Sequence, residues 1–256
     1  MTIDIQTLIE QRPHLKNPIE FYSSWQRFQR EAEGILPENR TTQGPAAESR
    51  AYSPDSVGLV LRSFASVFNL SPEGLAPLVQ ALEAGDIDFM RLPLDELPAV
   101  SLAPAVRELA TTLFLLSRPW FFRLREAGAL DGREWTGGRC PLCSARPALS
   151  SIVEGPRRHL YCSWCGTTGP YRFIGCPNCG NEVAAQLGTL VPEGEVGFRV
   201  ATCDACRTYV KVVDGGMLNE MTADLADLAS LPLDIVAQGE GYARTAPNPI
   251  GLKKIV

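Results

Sequence analysis

The chain has 256 residues, of which 45% are hydrophobic and 21% charged, so its composition is that of a folded globular protein long enough for two domains. Its formal net charge of −5 does not favour a dedicated nucleic-acid-binding protein. No apolar run approaches the roughly 18 residues of a membrane-spanning helix, and the start of the chain lacks the basic and apolar regions of a signal peptide.

The first half of the chain predicts a helical domain. Residues 18–28 place Phe21, Trp25 and Phe28 at helical spacing on one face, which indicates burial in a helical core.

Two segments have the residues of a helix start. Ser53-Pro54-Asp55 and Ser71-Pro72-Glu73 each combine an N-cap hydroxyl, a proline in the first turn and an acid near the positive end of the helix dipole. The longest helix is predicted to begin near Pro104, and Pro119 is expected to kink it or end it.

All eight cysteines lie in four Cys-x-x-Cys pairs, and they dominate the second half of the chain. Cysteines two residues apart can both reach one metal ion, so each pair supplies half of a tetrahedral site. Four halves make two sites with no cysteine left over. The predicted metal ligands are Cys140, Cys143, Cys162, Cys165, Cys176, Cys179, Cys203 and Cys206.

Other uses of paired cysteines fit less well. A disulfide framework is typical of small secreted domains, whereas these cysteines cluster in one third of a longer chain. A thiol–disulfide oxidoreductase needs one pair at a helix start, and iron–sulfur clusters usually show closer runs of cysteine. Gly166 and Gly180 follow two of the pairs, and Pro141 and Pro177 lie inside two, which is typical of metal-binding knuckles.

Sequential pairing of the knuckles is favoured over interleaved pairing. It keeps the connections near the roughly 15–20 residues typical of such ribbons. Phe198–Cys203 and Thr208–Val213 also predict a hairpin across the last knuckle, since β-branched and aromatic residues recur along both segments. His159 is expected to be a strand residue near the first site, because eight cysteines already fill two sites.

The end of the chain combines a helix with an irregular tail. Residues 217–229 predict a helix, with leucines and aspartates on different faces. Residues 239–251 are rich in Gly, Pro and polar types, so they are not expected to build core.

Several motifs together resemble the bacterial FdhE family, whose members are accessory proteins of formate dehydrogenase. The resemblance runs from about Cys140 to Asn248 and is carried by the four knuckles and by four later segments: Thr208–Lys211, Asp227–Asp234, Glu240–Arg244 and Asn248-Pro249. It implies an α-helical domain joined to two rubredoxin-like metal modules, with all eight cysteines as ligands. It also implies a cytoplasmic protein whose client is the catalytic subunit of a respiratory formate dehydrogenase, which is exported folded by the twin-arginine route.

The sequence thus predicts an α+β protein with an N-terminal α-helical domain, two small rubredoxin-like (zinc-ribbon) metal-binding β modules, and a C-terminal helix with a tail. The predicted boundaries are residues 1–136 for the helical domain, 137–172 and 173–214 for the two modules, and 215–256 for the C-terminal helix and the tail packing on the rest.

The function expected from these features is that of a maturation or proofreading chaperone, and not of an enzyme. No catalytic triad, phosphate loop or nucleotide fingerprint is present, and two histidines offer little acid–base chemistry. Each set of four cysteines is expected to hold one metal ion; the resemblance favours iron, and the general frequency of zinc in such knuckles favours zinc. Self-association is left open.

Tyr242 and Arg244 are the candidate partner-binding residues, because their side chains suit interface anchoring and their segment lacks helix or strand periodicity. The alternative is that this segment braces the protein's own domains.

Two other functions stay open at this point. Residues 139–213 contain eight basic and five acidic residues, and Trp164, Tyr171 and Phe173 lie among them, so a zinc-ribbon nucleic-acid-binding protein is one alternative. A rubredoxin-like electron-transfer module is the other, since four-thiolate iron can cycle by one electron.

Overall fold

The computed structural model describes residues 4–36, 54–102, 108–128, 132–152 and 157–255. The chain forms two compact units: Phe21–Ala129 is one, and Met1–Glu20 together with Leu130–Val256 is the other. A helical N-terminal region and a sheet with two four-cysteine groups confirm the predicted α+β class. In the part of the chain that is described, no helix has both the length and the apolar character needed to cross a membrane.

Five α-helices precede the first cysteine within the described residues: α1 (Ile5–Gln11), α2 (Lys16–Ile35), α3 (Pro54–Phe68), α4 (Pro72–Ala84) and α5 (Leu109–Gly128). The start of α4 is as predicted, since the Ser71 hydroxyl accepts a hydrogen bond from the Gly74 N–H at 3.1 Å. Ser53 and Pro104 lie outside the described residues, so the predictions about them have no counterpart here.

Pro119 does not end helix α5, which continues for nine more residues to Gly128. A proline inside a helix leaves the carbonyl four residues earlier without its N–H partner. Here that carbonyl belongs to Leu115, and it accepts a hydrogen bond from the Trp25 indole at 3.0 Å. A side chain from α2 thus satisfies the group that Pro119 leaves free. Of the two predicted effects of Pro119, a kink or a helix end, the helix end is wrong.

The aromatic face of α2 is buried in part. Trp25 and Phe28 are buried as predicted, and the Phe28 ring lies 5.0 Å from that of Phe64 in α3. Phe21 is 36% exposed and lies at the edge of this cluster, 5.1 Å from the Phe68 ring. The prediction was therefore wrong for Phe21.

The second unit is built on one continuous seven-stranded sheet. Its strands are β1 (Leu149–Ile152), β2 (Arg157–Tyr161), β3 (Thr168–Arg172), β4 (Leu187–Leu190), β5 (Phe198–Cys203), β6 (Thr208–Asp214) and β7 (Ala243–Arg244). The order is β3-β2-β1-β6-β5-β4, and β7 pairs with β6. The predicted hairpin across the last knuckle is confirmed as β5 and β6.

Parallel pairing of β1 with β6 joins the hairpins of the two cysteine modules into this sheet. The central strand β6 is consequently buried on both faces up to Val213. The boundaries predicted between the modules stay a prediction.

The first residues of the chain belong to the sheet unit. Arg12, at the end of α1, forms a two-point ion pair with Glu195 at 2.9 and 3.0 Å. Its guanidinium also lies 5.6 Å from the centre of the Phe198 ring. These contacts tie α1 to the loop that precedes β5.

The C-terminal region contains two α-helices within the described residues, α6 (Ala223–Ala229) and α7 (Leu231–Gly239). The helix predicted from residue 217 begins at Ala223, because Thr222 is the N-cap and accepts a hydrogen bond from the Leu225 N–H at 3.3 Å.

The tail that follows is buried, contrary to the prediction that it would not build core. Ala246 and Asn248 are 2% and 0% exposed. The Asn248 side-chain oxygen accepts hydrogen bonds from the N–H groups of Ile250 and Leu252 at 3.1 and 2.9 Å. An irregular segment can be buried when its backbone polar groups are satisfied in this way.

Candidate metal centres

The first four-cysteine group consists of Cys140, Cys143, Cys162 and Cys165, and all four residues are buried. Its sulfurs are close but not covalently bonded. The distances are 3.5 Å from Cys140 to Cys165, 3.4 Å from Cys143 to Cys162 and 3.8 Å from Cys143 to Cys165.

The second four-cysteine group consists of Cys176, Cys179, Cys203 and Cys206. Its sulfurs lie 3.7 Å apart in the pair Cys176–Cys206 and 3.8 Å apart in the pair Cys179–Cys203. Unlike the first group, it is partly open: Cys179 is exposed and Cys206 is half-buried. These are the two groups that sequential pairing of the knuckles predicts.

The donors in both groups fit a tetrahedral metal ion. Metal–sulfur bonds of about 2.3 Å at tetrahedral angles place neighbouring sulfurs roughly 3.8 Å apart, close to the observed separations. Burial also raises the pKa of Cys143 and Cys162 well above the ordinary value of a thiol. Four thiolates in such a pocket need a cation, and four sulfur donors suit zinc or iron.

The same backbone turn shapes the knuckles. In the first three, the carbonyl of the leading cysteine accepts a hydrogen bond from the N–H four residues later, at 2.8–2.9 Å. The residue after the second cysteine has a left-handed conformation in all four: Ser144, Gly166, Gly180 and Arg207 have φ values of 61°, 71°, 76° and 53°. Glycine adopts this conformation without strain, which explains its place after two of the knuckles.

Polar side chains surround the sulfurs of the second group. The side-chain amides of Asn178 and Asn181 lie 3.7 and 3.8 Å from the sulfurs of Cys206 and Cys203, and the Thr208 hydroxyl lies 3.0 Å from Cys206. Burial would raise the pKa of Cys206, but the hydrogen bonds from Thr208 and Asn178 outweigh it and lower the pKa to about 7. These contacts favour the thiolate form that a metal requires.

A buried ion network surrounds Lys211, which lies in strand β6. Lys211 pairs with Asp227 and Asp234 at 2.6 Å each, and Arg244 bonds to the same two carboxylates. Burial would raise the pKa of Asp234, but the charges of Lys211 and Arg244 outweigh it and lower the pKa. Two cations thus balance two anions, and the network fastens α6, α7 and β7 to the sheet.

Arg244 is fully engaged inside the protein. Its side chain bonds to Asp227 and Asp234, and to the carbonyls of Ala246 and Ala148 at 2.7 and 3.4 Å. All three guanidinium nitrogens are used in these contacts.

Tyr242 packs on the last knuckle, Cys203–Cys206. Its hydroxyl donates to Asp204 at 2.6 Å, and the Arg207 guanidinium lies 4.1 Å from the centre of its ring. A partner contact for Tyr242 and Arg244 stays a prediction, and the observed contacts favour the alternative, in which this segment braces the protein itself.

Sequence reasoning did not assign Lys211, Asp227 or Asp234 to a site. Their signal was present, because all three lie in segments that carry the family resemblance. His159 lies in β2 and belongs to neither group of clustered donors among the described residues.

Fold and donors together define a mixed α+β protein whose sheet carries two four-cysteine groups. Residues 161–250 match the family model "FdhE, C-terminal domain". A protein FdhE homolog of Aquifex aeolicus is 29% identical over 54% of this chain and 51% of its own length. Protein FdhE of Escherichia coli is 33% identical over 43% of this chain and 36% of its own length.

A solved structure shares the fold over nearly the whole chain. The crystal structure of the FdhE protein from Pseudomonas aeruginosa superposes with a TM-score of 0.62 at 20% identity, covering 96% of this chain and 92% of that one. The chain is therefore similar to FdhE proteins, in its C-terminal part by sequence and over nearly its whole length by fold. The alignments with the curated relatives span about half of their length or less.

Proposed function

We propose that this protein is an accessory factor of formate dehydrogenase and is not itself an enzyme. It binds the catalytic subunit of a respiratory formate dehydrogenase in the cytoplasm, before twin-arginine export, and serves its maturation or proofreading. The observation that carries the proposal is the match of residues 161–250 to the FdhE C-terminal domain, together with the two four-cysteine groups within the same sheet.

Each four-cysteine group holds one metal ion in this proposal. Bound zinc would cross-link the knuckles, and bound iron would in addition allow one-electron chemistry. The residues of this chain supply the geometry: hairpins present the knuckles, and side chains of Asn178, Asn181 and Thr208 form hydrogen bonds with the sulfurs of Cys203 and Cys206.

The buried ionisable groups support a role without acid–base chemistry. Asp227 and Asp234 are paired with Lys211 and Arg244, so neither carboxylate is a free base. All eight cysteines belong to the two groups, so no other thiol remains as a nucleophile.

Co-purification tests the proposal. The tagged chain is produced in cells together with a formate dehydrogenase catalytic subunit that keeps its signal peptide. We expect the subunit to be retained with the chain, and metal analysis of the same sample to give two ions per chain. A chain in which Cys176 and Cys203 are both replaced by serine is the control for the metal analysis, because its second group lacks two of the four ligands. Failure to retain the subunit while the chain is folded and metal-loaded would refute the client relationship.

Electron transfer is a second candidate because the second group is partly open. Exposure of Cys179 would bring a bound iron close to an external electron partner. A protein isolated with iron should then show thiolate-to-iron absorption that bleaches on reduction. A colourless chain with two zinc ions that retains the catalytic subunit would eliminate this candidate and leave the accessory role.

A further inference from the structure

The third knuckle, Cys176–Cys179, is held by two arginines that lie outside its own hairpin. Arg158, in β2, donates from Nη2 to the Gly175 carbonyl at 2.5 Å. Arg146, in the loop before β1, donates from Nη1 to the Pro177 carbonyl at 3.3 Å. Both arginines come from the hairpin region of the first four-cysteine group. They bond the backbone on either side of the first cysteine of the third knuckle.

The charge of Arg158 has no carboxylate partner among the described residues. The residue is 6% exposed, its Nε has no hydrogen-bond partner, and its guanidinium lies 5.2 Å from the centre of the Tyr171 ring. A buried cation without a compensating anion is strongly destabilising. Burial lowers the pKa of Arg158, and the neighbouring Tyr171 and, to a smaller extent, Cys176 oppose that effect.

Arg146 interacts electrostatically with three cysteines of the second group, Cys176, Cys179 and Cys206. Burial and the neighbouring Arg139 lower its pKa, and the thiolates of the second group oppose this effect. Four thiolates around a divalent ion leave an excess of negative charge. Two guanidinium groups beside such a centre therefore complement its charge.

We propose that Arg146 and Arg158 are positioning residues of the second four-cysteine group, which fix the third knuckle and offset the charge of its thiolates. This inference rests on the proposed occupancy of the group by a metal. Because both side chains project from the region of the first group, folding of that region becomes a condition for tight metal binding at the second.

Gly138 adds an independent contact between the two regions. A Cβ atom on Gly138 would lie 1.9 Å from the Pro177 carbonyl oxygen and 2.6 Å from its carbonyl carbon. The backbone before the first knuckle thus lies directly against the third. Gly137 has a similar positive φ, but a Cβ atom there would meet nothing within 4 Å.

The arginine test uses zinc-loaded full-length protein and a chromophoric chelator, with alkylation of the released thiols and mass spectrometry to assign each to its group. For Arg158→Met we expect release from the second group at about tenfold lower chelator concentration, in the range typical of residues that support a ligand. Release from the first group should not change. Arg146→Met should behave alike, and Arg158→Lys should recover most of the loss because it restores the charge. Exposed Arg133, replaced by Met, is the control.

If Arg158→Met released metal equally from both groups, or if Arg158→Lys recovered none of the loss, the proposed role of the arginine charge would be overturned. The glycines test the contact by itself: Gly138→Ala should weaken only the second group, and Gly137→Ala should leave both unchanged. Equal behaviour of these two variants would refute the contact as a support. Fewer than two ions in the wild-type protein would refute the metal occupancy itself, which separates that failure from failure of the positioning role.

Discussion

The two four-cysteine groups are each built from two Cys-x-x-Cys pairs, yet they differ in exposure and in their surroundings. The first group is buried at all four cysteines, whereas the second has an exposed and a half-buried ligand. Each group has a threonine hydroxyl beside one sulfur, Thr167 at Cys165 and Thr208 at Cys206. The second group compensates for its exposure with two side-chain amides and two nearby arginines. A closed site depends mainly on its own knuckles, and an open one depends on neighbours that hold and neutralise it.

The largest effect should come from removing one ligand in each group. Cys162→Ser should lose the first metal and also weaken the second, because the first region carries Arg146, Arg158 and Gly138. Cys176→Ser should lose only the second metal and loosen residues 171–213, since so small a module needs its metal to fold. The helical unit should stay folded in both. Metal analysis and amide hydrogen exchange measure these outcomes, and full occupancy in either variant would contradict the assigned grouping.

Breaking the buried network should be nearly as damaging. Asp234→Asn leaves Lys211 and Arg244 with one carboxylate, and loss of one member of a buried ion network typically costs about 3–5 kcal/mol. Asp214→Asn is the matched control, because Asp214 pairs with Arg199 at an exposed site and such pairs contribute about 0–1 kcal/mol. Urea unfolding of the sheet unit measures both. Similar losses in the two variants would refute a dominant role of the network.

Replacing both Tyr242 and Arg244 by alanine tests whether the tail segment contacts a partner or braces the protein itself. Since Arg244 is buried in the network and Tyr242 packs on the last knuckle, we expect lower thermal stability with retention of the catalytic subunit by the folded protein. Unchanged stability with loss of co-purification would instead place the partner interface at these residues.

Acid should reduce the contribution of Asp234. Its pKa in the folded protein is lowered, so its ionised form stabilises the fold above the ordinary carboxyl pKa of about 3.9, and this contribution is lost as the pH falls through the lowered value. The difference in unfolding free energy between wild type and Asp234→Asn should be constant above about pH 5 and shrink below about pH 4. A constant difference down to pH 3 would argue against this titration.

The smallest effect concerns the turn after a knuckle. Gly180 has a φ of 76°, and a Cβ atom there would meet no neighbour within 4 Å, so Gly180→Ala tests conformational strain alone. We expect a loss of roughly 1 kcal/mol in unfolding free energy. Ser144→Gly, at the corresponding position of the first group, should gain a similar or smaller amount. A loss in Ser144→Gly would show that its side chain matters more than its backbone conformation.

Local features were predictable from the sequence. The cysteine spacing identified both groups, alternation of residue types identified the β5–β6 hairpin, and Ser71 marked a helix start. In each case the signal lies within a few consecutive residues, or in paired cysteines, which have few roles other than metal binding.

Contacts between distant segments were not predictable. Parallel pairing of β1 with β6 joins strands some 60 residues apart, and it merges the predicted modules into one sheet. Helix α5 passes Pro119 because Trp25, in another helix, satisfies the freed carbonyl. The tail is buried because Arg244 meets partners from three other segments. None of these partners is visible in the local pattern.

One measurement tests most directly whether the two four-cysteine groups differ in how tightly they hold their metal ions. The protein is analysed for metal, then challenged with increasing chelator while its thiols are alkylated and assigned by mass spectrometry. Our account predicts two ions per chain, with Cys176, Cys179, Cys203 and Cys206 modified at lower chelator concentration than the four cysteines of the first group. Fewer than two ions, or earlier modification of the first group, would contradict it.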